Sequence, residues 1–130
     1  MDLKAKSFIS RENNMTKLEK RNILEKVILF QDKIYNLKIL LNRLPWDSKE
    51  DIFIINKSTL LQILQKFLDE NTNIQEIEEW ANLLECREDI GYTNSCLKDI
   101  IDEFANPIVY GDISLKKIND KINTLRNSSD

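Results

Sequence analysis

The chain has no histidine, and its 130 residues include only two glycines, two prolines and two cysteines. Without histidine there is no imidazole general base, no Ser-His-Asp arrangement and no histidine metal ligand. With Gly91 and Gly111 as the only glycines, no glycine-rich loop can cradle a phosphate. So few turn-forming residues argue against a β-sandwich or a doubly wound α/β fold. Cys86 and Cys96 alone do not make a zinc site. Glu85, Glu88 and Asp89 surround Cys86 in sequence and disfavour a thiolate nucleophile there. A disulfide between the two cysteines is geometrically open, but a reducing compartment disfavours it. No apolar run reaches the roughly 18 residues of a membrane span, and Met1–Lys6 offers no apolar signal segment. The expected location is the cytoplasm.

Hydrophobic residues make up 42% and charged residues 32%, a normal globular balance rich in Leu, Ile, Lys, Glu and Asn. The expectation is an all-α fold: one domain over residues 1–130, about five helices with a long first one, and flexible ends at 1–14 and 127–130. Apolar residues from Ile23 through Val27, Phe30, Ile34, Leu37 and Leu41 recur at threes and fours, which predicts one helix from Thr16 to Arg43, ended by Pro45. Trp46–Asn56 reads as a connection, in which Ile52–Ile55 is either a short extended segment or a set of loop anchors. A second helix spans Lys57–Glu70, capped by Asn56 or Ser58. A third spans Ile74–Glu85, with Thr72 as a plausible cap. Cys86–Tyr92 reads as a turn in which Gly91 can take positive φ. Asn94–Ala105 forms a fourth helix, stopped by Asn106-Pro107, and Ile108–Gly111 a short apolar link. Asp112 or Ser114 caps a last helix to Leu125. Short connections after Asn71 predict antiparallel neighbours.

Charge is unevenly placed. Asp69–Glu103 holds eleven acidic and two basic residues, whereas residues 1–49 hold eleven bases and six acids. Like charges three or four residues apart on a helix cost a few tenths of a kcal/mol each. A chain that keeps so many of them gives up stability, and a basic binding partner explains why. The predicted partner-binding residues are Glu76, Glu78, Glu79, Glu85, Glu88 and Asp89, followed by Asp99, Asp102 and Glu103. The competing reading is a solvated helix face, paired in part with the basic N-terminal third. Trp80, in phase with Ile77 and Leu84, is expected in the core.

The stretch Ile77–Tyr92 (IEEWANLLECREDIGY) and the downstream Leu97–Pro107 (LKDIIDEFANP) resemble small all-helical bacterial immunity proteins of the contact-dependent growth inhibition type. The resemblance covers about residues 57–125 and is one of pattern. It implies an inhibitor that binds a cognate toxin protein in the cytoplasm, often a basic nuclease domain, and it carries over no catalytic residues. An acidic surface suits that task, because nuclease clefts are basic and electrostatic steering speeds capture. The alternative is a helical adaptor or regulatory protein for another basic partner. The residue content itself leads to the expectation of no enzyme activity, no cofactor, no metal, and no nucleic-acid or membrane partner.

Overall fold

The structure, a computed structural model, describes residues 15–44 and 50–128. The expectations for residues 1–14, for Pro45 and for Trp46 lie outside the described residues. In chain order the elements are α1 (Lys17–Ile28), α2 (Ile34–Leu41), β1 (Phe53–Ile55), α3 (Lys57–Asp69), α4 (Ile74–Glu85), β2 (Ile90–Tyr92), α5 (Ser95–Ala105), α6 (Pro107–Tyr110) and α7 (Leu115–Asn127). The fold is mostly helical, as expected, but the described residues form seven helices rather than five and add a small parallel sheet.

The long first helix is two helices. Thr16 opens α1 with a reciprocal capping box to Glu19, and α1 stops at Ile28. Phe30 then takes φ 52°, the left-handed conformation usually left to glycine. Gln31 N–H donates to the Lys26 carbonyl and Phe30 N–H to the Val27 carbonyl, the two bonds of a Schellman end. Tertiary contacts hold this reversal in place. The Trp80 indole N–H donates to the Ile28 carbonyl at 3.0 Å, and Lys66 Nζ donates to the carbonyls of Leu29 and Phe30. The Phe30 ring packs edge-on against Phe67, which packs edge-on against Trp80. Asn71 ends α3 by the same device: it takes φ 50°, its N–H donates to the Leu68 carbonyl, and the Thr72 N–H donates to the Phe67 carbonyl.

Ile90–Tyr92, read from sequence as a turn, is a strand that pairs in parallel with β1 in the register Phe53↔Ile90, Ile54↔Gly91, Ile55↔Tyr92. Gly91 is not at positive φ; among the described glycines only Gly111 is. A Cβ at Gly91 would collide with the carboxyl of the exposed Asp51 side chain, which occupies the space that glycine leaves open. Arg21 of α1 lays its guanidinium over the Phe53 ring at 4.7 Å.

Asn56, Asn73, Asn94 and Ser114 each accept a backbone N–H at the start of α3, α4, α5 and α7. Asn73, not Thr72, caps α4. The core gathers Leu24, Val27 and Ile28 of α1, Leu37 and Leu41 of α2, Leu60, Ile63, Leu64 and Phe67 of α3, and the apolar faces of α4, α5 and α7. Trp80 is completely buried, as expected. Ser128 is tied down by Lys57 Nζ, which donates to its carbonyl and hydroxyl oxygens.

The antiparallel expectation fails at α4 and α5. Glu85, the last residue of α4, accepts a hydrogen bond from Asn106, which ends α5, so the two helices bring their C-terminal ends together. The cause is β2, which carries the chain back before α5 begins.

Candidate partner-binding surface

The nine sequence-selected carboxylates do not form a uniform acidic face. Glu79 pairs at 2.7 Å with Lys38 of α2, a lysine folded back from the basic N-terminal third. Asp102 pairs at 3.1 Å with Lys98, one turn earlier on α5. Glu103 is held by Lys117 at 3.2 Å and Lys121 at 2.9 Å, both on α7. Burial alone would raise the Glu103 carboxyl, but the hydrogen bonds from Lys121 and Lys117 outweigh it and hold the group below the ordinary glutamate value. Asp89 is only 1% exposed and takes a bidentate grip from Arg87, at 3.0 and 2.6 Å. It is a buried structural charge, removed from any contact surface. Glu76, Glu78, Glu88 and Asp99 make no ion pair or hydrogen bond among the described residues.

These positions divide by direction. Glu76 and Glu79 lie on the flank of α4 that faces α2 and the Phe30–Lys33 reversal. Asp99 and Glu103 lie on the α7 side of α5. Glu85 and Asp102 converge between α4 and α5, and Glu78 shares their flank of α4, two turns before Glu85.

The shared end of α4 and α5 gathers negative charge with no base in either last turn. A helix C-terminus carries roughly half a negative charge from its unpaired carbonyls and favours bases nearby. Neither helix has a basic residue in its last turn; Glu85 closes α4, and Asp102 and Glu103 sit near the end of α5. Asn106 links the two ends by donating to the Glu85 carboxylate and to the Asp102 carbonyl. Tyr92 reports the field: burial, and then the charges of Asp102 and Glu85, push its hydroxyl well above the ordinary tyrosine value. Carboxylates against two helix C-termini cost stability and draw a cation toward that end.

Asn106 and Tyr92 were not selected from sequence. An Asn before a proline reads as a helix stop, and no local pattern reveals that its amide reaches another helix. Among the described residues no group of three or more acidic or cysteine side chains is arranged to hold a metal ion. Both cysteines are free and exposed. No helix of the structure is long and apolar enough to cross a membrane. Compared with protein-family models, curated proteins and solved structures, the chain matches none.

Proposed function

We propose that this chain is an inhibitor that captures a basic protein, a toxin domain of the kind that the immunity-protein resemblance implies. The convergence of two helix C-termini with Glu85 and Asp102 at one end of the molecule carries this reading. It offers a preorganised anionic site for a lysine or arginine presented by a partner. Glu78 and Glu88, unpaired at the surface, extend the negative field around it. Asp89 and Glu103 take no part, because Arg87 and the α7 lysines hold them in buried or half-buried pairs, and Glu79 is tied to Lys38 across helices; Asp102 has only the exposed Lys98 of its own helix, a weak surface pair that a partner's base can displace.

The test pairs isolation with charge removal. The tagged chain is used to recover partners from its host at low salt and again at roughly 0.3 M, where exposed charges more than a few ångströms apart are screened. The recovered protein is expected to be basic, with association slowing as salt rises. The double variant Glu85→Gln/Asp102→Asn keeps side-chain shape, and it should weaken capture by about tenfold or more. An acidic partner, or capture that the double variant leaves unchanged, overturns the reading.

A further inference from the structure

The four-residue helix α6 exposes apolar side chains with no partner. Ile108 is 100% exposed, Val109 73% and Tyr110 55%, and Leu115 just beyond is 50% exposed. The tip is held rigidly. Pro107 starts α6, and Lys117 Nζ donates to the carbonyls of Tyr110 and Gly111. A preorganised apolar tip loses little entropy on docking, which is how interface anchors gain affinity. Contiguous exposed apolar groups of this kind mark contact sites.

The same molecule carries a matching socket. A pocket of about 440 Å³ opens between α5 and α7, floored by Leu97, Ile100 and Leu125 and bordered by Thr124. That volume accepts two or three side chains of the size found at the tip. Tip and socket lie at opposite ends of the α5–α7 pair. Glu103 near the end of α5 meets Lys117 and Lys121 near the start of α7, so the two helices run past each other in opposite directions. A two-fold axis across the middle of this pair lays each tip over the other copy's socket, which closes the contact rather than propagating it.

Charge placement fits the same arrangement. Among the described residues, Asp99 at the socket rim has no ion pair or hydrogen bond, and Lys57 donates only to the neutral oxygens of Ser128. Beside the tip stand Asp112, without an ion pair among the described residues, and Lys116, held only by an 87%-exposed contact to Asp120. Glu103 and Lys121 also line the socket but are paired with each other, which leaves Asp99 to meet Lys116 and Lys57 to meet Asp112.

We infer that this chain associates with a second copy of itself, the α6 tip of each copy seated in the α5–α7 socket of the other. The inference is independent of the proposed inhibitory role. The test is sedimentation equilibrium of the full chain from about 1 to about 500 μM. A reversible dimer is expected. Ile108→Asp, at a fully exposed position, and Thr124→Trp, which fills the socket, should each raise the dissociation constant by about tenfold or more. Asp99→Lys and Lys116→Asp should each weaken the dimer, and combining them should restore it. Mixing Ile108→Asp with Thr124→Trp should yield a heterodimer that retains one intact contact. A chain that stays monomeric across the range overturns the inference, as does a dimer that ignores both the tip and socket variants. A monomer whose Ile108→Asp variant loses capture of a basic protein assigns the tip to that protein and overturns it equally.

Discussion

Trp80 joins the core to the chain reversal that ends α1, and replacing it with phenylalanine separates its two roles. The ring is fully buried, and its N–H donates to the Ile28 carbonyl at 3.0 Å. In Trp80→Phe that carbonyl loses its side-chain partner in a dry environment, which costs roughly 1–3 kcal/mol. The smaller ring leaves a void beside Phe67 worth about 1 kcal/mol more. The sum is about 2–4 kcal/mol, a large fraction of the roughly 5–15 kcal/mol that stabilises a typical domain. Urea unfolding followed by far-UV circular dichroism measures it, and thermal unfolding should shift by about 10 °C. Lys66→Met removes the neighbouring bonds to the carbonyls of Leu29 and Phe30. Both side chains hold the same reversal, so the double variant should be non-additive by about 0.5 kcal/mol or more. A Trp80→Phe loss below about 1 kcal/mol, or strict additivity with Lys66→Met, refutes the claim that these two donors fix the break.

Three further outcomes follow from the packing. Arg87→Ala leaves Asp89 buried with its bidentate partner gone, and unfolding measurements should show a loss of about 3–5 kcal/mol. Gly91→Ala pushes a methyl group against the exposed Asp51 side chain, which must turn aside, so it should lower stability by up to about 1 kcal/mol, with Asp51→Ala recovering much of the loss in the double variant. Glu103 has a folded-state pKa depressed below its ordinary value of 4.5. Its stabilising contribution is therefore present above that value and lost as pH falls through the folded-state pKa; Glu103→Gln should flatten this part of an acid-unfolding profile.

Much of the fold was legible in the sequence because local and tertiary preferences agree. The helices at 57–69, 74–85, 95–105 and 115–127 follow from threes-and-fours spacing, and Asn or Ser stands at each start. The break after Ile28 was hidden because neither glycine nor proline marks it. The spacing Val27–Phe30–Ile34 stays in helical phase, and the left-handed Phe30 is held there by Trp80, Phe67 and Lys66 from distant segments. The strand at Ile90–Tyr92 was hidden because three residues carry too little alternation to show a period. Charge was legible as composition but not as geometry. That Lys38 would neutralise Glu79, that Lys117 and Lys121 would claim Glu103, and that Asp89 would turn inward all depend on how helices far apart in sequence come to rest. The anionic end built from Glu85 and Asp102 depends on two helices finishing at the same place, which spacing along one helix cannot show.

The parallel pairing of β1 with β2 constrains the order of assembly. Adjacent strands joined by a hairpin can zip from their turn, but these two are separated by the whole of α3 and α4. Loop closure over that distance is costly until the intervening helices have compacted the chain. The topology predicts that the ladder between Phe53–Ile55 and Ile90–Tyr92 forms late, after the core around Phe67 and Trp80 has gathered. Arg87, Asp89 and Gly91, clustered at that final junction, then govern how fast the finished molecule comes apart more than how fast it forms.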